Sequence, residues 1–317
     1  MRPPRLLVAG PNLTIDRTSA ITALRPGEVL RTGQVTVTPG GKGVNVVRAA
    51  TALGAAAELA GFVPGRTGEA AAAMLSDEGV VLRAVMVGGE IRSTAILRDD
   101  AGRVTVLNEP GPPITEPEWA GLEALLARDP RPDLLVCSGS VPPGSPADAF
   151  GRLVAVGRSL GVPVVVDATG ALLAGALAVG PDVVTPNLAE AERVLHGRPD
   201  EGVDVDVAEA PGRSLDAAEA LRDRGARVAV VTAAEAGAAV ATADGRRWLA
   251  APRVTVRNPI GAGDAFTAGL AVALAAGASP LDAARAAVAA GSASVEHPLA
   301  GMLDPARARA LTLGPEP

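Results

Sequence analysis

Residues 133–167 read DLLVCSGSVPPGSPADAFGRLVAVGRSLGVPVVVD, and this stretch decides the fold. It opens on an unbroken apolar run, DLLVCS (133–138), and closes on another, PVVVD (163–167). Between them, residues 146–161 have the composition and spacing of a helix. Strands that are apolar on both faces are buried on both faces, and neighbouring parallel strands need such a helical crossover. The same grammar recurs outward, in the runs RLLVAG (5–10), DVVT (182–185) and RVAVV (227–231) and the helical stretches 187–196 and 214–225. The expected class is α/β, with a mostly parallel central sheet covered by helices on both faces. Several of these runs end in a polar residue: Ser138, Asp167, Thr185 and Thr232. In open α/β sheets ligands bind beyond the carboxyl ends of the strands, so chemistry is expected there.

Two stretches break the rhythm. EVLRTGQVTVT (28–38) and IRSTAILRDDAGRVTVL (91–107) alternate polar with apolar residues, with Asp100-Ala101-Gly102 as turn residues inside the second. That pattern predicts a half-exposed antiparallel sheet, a small β lid inserted into the larger domain.

The chain has 317 residues, 48% of them hydrophobic, enough for one large domain over 1–317. A net charge of −6 argues against a nucleic-acid or anionic-membrane binder, which needs a basic surface. The single cysteine, Cys137, lies in an apolar run and reads as a small buried hydrophobe. The longest Ala/Val-rich run, 265–276, is too short to span a bilayer, so a cytoplasmic protein is expected.

Two glycine clusters carry the candidate chemistry. In RNPIGAGDAFTAGL (257–270), Asp264 follows Gly261-Ala262-Gly263 at the start of an apolar helix expected to run to about Gly277. Glycines let backbone N–H groups approach a ligand, and a helix N-terminus favours negative charge. Asp264 reads equally as a helix cap or as a base that takes a proton from a substrate hydroxyl. A dinucleotide fingerprint would need glycine at Phe266, and Lys42 is followed by glycine where a Walker A loop needs Ser or Thr. In TPGGKGVNVVRAATALG (38–54), Gly40, Gly41 and Gly43 open a helix expected from about Val44, with Lys42 and Asn45 at its entrance. Asp16, in PNLTIDRT, reads as a loop acid able to hold sugar hydroxyls, and Arg92 as a strand cation able to pair with an anion. Asn187 and Glu190, in TPNLAEAE, lie three apart on one helical face, able to organise a metal-bound phosphate through water or simply to form a surface pair.

Together these motifs resemble the PfkB/ribokinase family of carbohydrate kinases over nearly the whole chain. GGKGVN with Asp16 upstream looks like the family's sugar-binding signature, NPIGAGDAFTAGL like its second signature, and PNLAE like its P-N-x-x-E element. The resemblance implies a ribokinase-like three-layer α/β/α domain whose lid is formed by about 11–38 and 88–112. It implies ATP-dependent phosphoryl transfer, with Asp264 as catalytic base and Gly261, Ala262 and Gly263 as the anion hole. The sugar would meet Asp16, Gly40, Gly41, Lys42, Asn45, Arg92, Asn108 and Ser140. ATP would meet Asn187, Thr232, Gly237, Gly261 and Gly263, and Glu190 would hold Mg2+ through water. A monovalent cation such as K+ and a homodimer formed through the lid are further expectations.

Within the family, NLTIDRT, NEPGP (108–112), SGSVPPG (138–144) and AGM after Glu296-His297-Pro298 look closest to 1-phosphofructokinases and tagatose-6-phosphate kinases. By that likeness Arg92 falls on the phosphate the sugar already carries, with Lys42 as a second phosphate ligand. Fructose 1-phosphate, converted to fructose 1,6-bisphosphate, is the implied acceptor. A 6-phosphofructokinase, a tagatose-6-phosphate kinase and a neutral-sugar or nucleoside kinase are the alternatives. Two positions depart from the family pattern: Leu13 stands where N-P-A-x-D has proline, and Ala234 where a glycine usually follows the strand ending at Thr232.

Overall fold

The computed structural model describes residues 2–197 and 207–313; of the domain expected over 1–317, residues 1, 198–206 and 314–317 lie outside the described residues. In chain order the strands are β1 (Arg5–Ala9), β2 (Thr14–Ile21), β3 (Val35–Gly40), β4 (Ala56–Pro64), β5 (Val81–Val87), β6 (Arg92–Asp99) and β7 (Val104–Asn108). They continue as β8 (Leu134–Ser138), β9 (Val164–Asp167), β10 (Val183–Val184), β11 (Val228–Thr232), β12 (Gly237–Thr242) and β13 (Gly245–Ala250). The helices are α1 (Lys42–Ala52), α2 (Gly65–Asp77), α3 (Glu116–Leu126), α4 (Ala149–Leu160) and α5 (Gly170–Val179). Beyond them come α6 (Leu188–His196), α7 (Ala210–Asp223), α8 (Ala262–Ala275), α9 (Pro280–Val295) and α10 (Pro305–Leu313).

Nine strands form one sheet in the order β13-β12-β11-β10-β9-β8-β1-β4-β5. Every pairing from β11 to β5 is parallel, and only the β12 and β13 edge is antiparallel. Alternate residues of the apolar strands enter opposite layers, which makes the fold three-layered. Leu6 and Val8 pack with Val44, Phe266 and Leu270 of α1 and α8. Leu7, Ala9 and Cys137 pack with Trp119, Phe150 and Leu173 of α3, α4 and α5. Cys137 is buried, as expected, and burial pushes its thiol pKa up.

The small sheet has the order β3-β2-β6-β7. Its two outer pairs are antiparallel, but its central seam is parallel, from Thr14 opposite Arg92 to Ile21 opposite Asp99. The antiparallel expectation is therefore corrected at the seam. β1 and β5 run parallel in the large sheet, and each continues across a short connection into a small-sheet strand, β2 or β6. Their continuations keep the common direction. Two boundaries also differ. Residues 28–34 form a connection, tied by the Thr32 hydroxyl donating to the carbonyls of Ala20 and Gln34, and only 35–40 pair as a strand. Asp16, read as a loop acid, lies inside β2.

Candidate active site

β1 has β4 on one side and β8 on the other, so the chain winds outward in one direction before β5 and in the opposite direction after β8. The carboxyl ends of β1 and β8 flank this switch point, where open sheets present their ligand crevice. A cavity of about 700 Å³ opens there, between Gly10 and Asn12 after β1, Ser138 to Ser140 after β8, and the small sheet. Gly41, Lys42, Arg92, Asn108, Ser140 and Glu190 line it.

On the small-sheet wall, Arg92 begins β6 and is half-buried. Its Nε and one terminal nitrogen donate to the carbonyl of Asn12 at 3.2 and 3.1 Å, and the other terminal nitrogen donates to the Glu109 carbonyl at 3.3 Å. Three of five N–H groups are thus committed to backbone, which fixes the guanidinium plane and leaves two donors. Asn12 also spans the cavity rim, donating its amide to the Ser140 hydroxyl at 3.0 Å and the Pro110 carbonyl at 3.3 Å. The Asn108 carboxamide oxygen accepts from Thr94, whose hydroxyl also meets Thr14.

Asp16 packs its carboxylate on Gly40, where a Cβ would stand 2.1 Å from Oδ2. Its Oδ1 is buried without a hydrogen-bond partner. Burial pushes its pKa up, against the opposing pull of Thr94, Arg92, Arg48 and Thr14. A buried acceptor without a donor is an expensive arrangement, and a ligand hydroxyl would relieve it.

On the opposite wall, α1 starts at Lys42, two residues before the expected Val44, with Gly41 as its N-cap. The Lys42 ammonium lies 3.3 and 3.5 Å from the two oxygens of Asp167, and Asp167 accepts the Ser138 hydroxyl at 3.0 Å. Asp167 and Ser138 were marked in the sequence only as strand ends. Asn45, in the first turn of α1, donates its amide to Asp264 Oδ2 at 2.8 Å.

Asp264 does not cap α8. The helix begins at Ala262 with Gly261 at the N-cap, and Asp264 lies in the first turn with 5% exposure. Desolvation pushes its pKa up to about 7, Asp167 and Glu190 add to the rise, and Lys42 and Asn45 oppose it. Gly261 has φ +83°, and a Cβ there would stand 2.5 Å from the Gly301 amide. Asn258 ties the same two loops together, its amide donating to the Pro298 carbonyl and its oxygen accepting from the Ile260 amide. At Gly263, by contrast, a Cβ would meet nothing within 4 Å. Space is thus open beside the helix N-terminus, where unpaired amides concentrate.

Asn187 and Glu190 do not both lie within the helix. Asn187 is the N-cap of α6, and each side chain accepts from the other's backbone amide at 2.9 Å, a capping box. Glu190 still faces the cavity, and burial raises its pKa against the pull of Lys42. Asn187, Thr232 and Gly237 do not line the cavity; Thr232 ends β11, bridged to Asn187, and Gly237 opens β12. Ala234 between them has φ +46°. Among the described residues no three His, Cys, Asp or Glu side chains form a metal cluster, and no helix is long and apolar enough to cross a membrane.

A family model for pfkB family carbohydrate kinases matches residues 9–307. The chain belongs to the PfkB family. Its likeness to other members extends over nearly its full length. The ATP-dependent 6-phosphofructokinase isozyme 2 of Mycobacterium tuberculosis is 30% identical over 93% of this chain and 85% of its own. The phosphofructokinase-2 of Escherichia coli, solved in complex with potassium, superposes with a TM-score of 0.88 at 26% identity, covering 98% of each chain. A structure described as a possible 1-phosphofructokinase from Thermotoga maritima gives 0.82 at 27% identity and 97% of each chain. This PfkB protein is an ATP-dependent sugar kinase with a ribokinase-like fold.

Proposed function

We propose that this kinase transfers a phosphoryl group from ATP to fructose 1-phosphate, yielding fructose 1,6-bisphosphate. The observation that carries the reading is the pairing of a cavity-lining cation with a buried acid. Arg92 lines the cavity from the small-sheet wall with two free donors, and Asp264 is hydrogen-bonded to Asn45, which lies in the same helix turn as the cavity-lining Lys42. A fixed guanidinium suits a phosphate already on the sugar. Asp16 and Asn108 supply acceptors for hydroxyls.

Asp264 takes the proton of the acceptor hydroxyl as its oxygen bonds the γ-phosphorus. The amides of residues 261–264 hold the charge on the transferring group, in the space beside Gly263. The small sheet acts as the lid that keeps water from the phosphoryl donor. The chain's donors fit a metal that arrives on the nucleotide, since Glu190 faces the cavity without two further acids to form a cage. Glu190 would hold Mg2+ through water, and the metal would neutralise charge on the phosphates. Val35 and Val37 on β3 and Val104, Val106 and Leu107 on β7 leave apolar surface exposed on the small sheet, which supports pairing of two lids in a homodimer.

A second reading, fructose 6-phosphate as acceptor, is favoured by the 6-phosphofructokinase relative and by the phosphofructokinase-2 of Escherichia coli, also solved in complex with fructose-6-phosphate. Both acceptors give the same bisphosphate, with the sugar reversed between Arg92 and Asp264. The experiment is ADP release from MgATP with fructose 1-phosphate, fructose 6-phosphate, tagatose 6-phosphate and free fructose. Turnover with fructose 1-phosphate is expected, and Arg92→Ala should raise KM for it on the order of 10²-fold. Preference for free fructose, or an Arg92→Ala enzyme with unchanged KM, would sink the sugar-phosphate reading.

A further inference from the structure

Asn12 lies on the connection between β1 and β2, where the chain passes from the large sheet to the small one. Its backbone carbonyl accepts twice from the Arg92 guanidinium, at 3.2 and 3.1 Å. Its side-chain amide donates to the Ser140 hydroxyl at 3.0 Å and to the Pro110 carbonyl at 3.3 Å, which uses both amide hydrogens. A serine hydroxyl has one hydrogen to give. Ser140 accepts from Asn12, so its own hydrogen is left for another oxygen. Asn12, Arg92 and Ser140 all line the cavity. Asn12 therefore holds the groups that carry three free donors, two N–H groups of Arg92 from the small-sheet side and the Ser140 O–H from the loop after β8. Gly111 closes over this hub: at φ +92°, a Cβ there would stand 2.9 Å from Asn12 Oδ1 and 3.6 Å from Arg92 Cδ. Arg92 alone is a compromised anion ligand, because burial disfavours its charge and Asp16 and Glu109 already act on it. An uncharged donor from the large-sheet side adds attraction for an anion without burying a second cation.

We propose that Asn12 is a positioning residue that gathers Arg92 and Ser140 onto one anion, the phosphate the sugar already carries. The inference rests on the sugar-phosphate kinase reading above. Asn12 acts through the other two residues. Its amide turns the Ser140 hydrogen toward the cavity, and its carbonyl sets the guanidinium plane, so the phosphate meets donors from both sheets at once. The bonds cross the boundary between the sheets, since Ser140 follows β8 of the large sheet while Arg92 opens β6 and Pro110 follows β7 of the small one. Asn12 thus also sets the distance between the two walls that a phosphate has to span. A carboxylate of the same shape at this position would reverse the polarity. The Ser140 hydroxyl would then donate to residue 12, its hydrogen would be spent, and a negative charge would stand beside the phosphate.

The test is steady-state kinetics of Asn12→Ala, Asn12→Asp, Ser140→Ala and the double variant Asn12→Ala/Ser140→Ala. Sugar phosphate is varied at saturating MgATP, and MgATP at saturating sugar phosphate. For Asn12→Ala, KM for the sugar phosphate should rise on the order of 10-fold, with kcat and the KM for MgATP moving far less. For Asn12→Asp the rise should be on the order of 10²-fold. Ser140→Ala should match Asn12→Ala, and the double variant should cost little more than either, because both act through one hydroxyl. Additive losses in the double variant would overturn the proposal, as would an unchanged KM for the sugar phosphate. Equal rises in both Michaelis constants would reduce Asn12 to a support of the fold. Asn12→Asp no worse than Asn12→Ala would show that the direction of the Ser140 hydroxyl does not matter, and this isosteric variant carries the test if Asn12→Ala does not fold. A wild-type enzyme inactive on every sugar phosphate would instead remove the underlying reading.

Discussion

Asn45 donates its side-chain amide to Asp264 at 2.8 Å, joining the first turn of α1 to the first turn of α8 across 219 positions of sequence. The two glycine clusters are therefore two halves of one device. The bond occupies one carboxylate oxygen and leaves the other for a substrate proton. It also favours the ionised form, against a burial that favours the neutral one.

The pH dependence of kcat/KM follows from that balance. With the Asp264 carboxyl raised to about 7, activity should rise about tenfold per pH unit below that value and level off above it. Asn45→Ala removes a group that lowers this pKa, so the acidic limb should move to higher pH. An Asn45→Ala profile that superposes on the wild type would show that the bond does not tune the base.

Stability should respond in the opposite sense. A carboxyl whose folded pKa lies above its unfolded value binds more protons in the native state between the two. Asp264 therefore costs nothing below about pH 4, and its burden grows as pH rises to about 7, beyond which it is constant. Asp264→Asn should raise Tm by a few °C at pH 8 and by nothing near pH 4, while abolishing turnover. Calorimetry at the two pH values checks this, and an increment equal at both would assign it to some cause other than the buried charge.

Gly301 braces the Asn45–Asp264 pair from behind. It has φ +69°, and a Cβ built there would stand 2.6 Å from the Cβ of Asn45. Gly301→Ala should displace Asn45, lowering kcat by about tenfold or more and destabilising the fold by about 1–2 kcal/mol. Kinetics and chemical denaturation measure the two effects separately, and wild-type kcat in a folded variant would refute the bracing role.

Ala234 is the one non-glycine residue with positive φ among the described residues, at +46°. It occupies the position where the sequence departs from the family's glycine. Ala234→Gly should relieve strain and stabilise the protein by about 1 kcal/mol in urea unfolding, whereas Ala234→Val should destabilise it. Destabilisation by glycine would mean that the Cβ contributes packing that outweighs the strain.

The α/β frame was legible because β1, β8, β9 and β11 are continuous apolar runs whose two faces are both buried. The β12 and β13 edge was not, since GAAVAT in β12 has the small-residue composition of the neighbouring helices. The parallel seam of the small sheet was not legible either, because alternation identifies a strand's faces and says nothing of its partner. The site divides the same way. Asp264, Asn45, Lys42 and Arg92 stood out through local motifs; Lys42 and Arg92 line the cavity, and Asn45 is hydrogen-bonded to Asp264. Asn12 and Gly301 act through contacts with distant residues, so no local pattern marked them as members of the site, and Asp167 stood out only as the polar end of a strand.

The seam between β2 and β6 has a consequence for how the chain assembles. Thr14 meets Arg92 only after the intervening β3, α1, β4, α2 and β5 have been accommodated, so no hairpin turn can nucleate the contact. The large sheet can begin around β1, β4 and β5 while the small-sheet wall is still incomplete. A chain emerging from the ribosome would have a nascent core around β1, β4 and β5 before β6 and β7 completed the small-sheet wall.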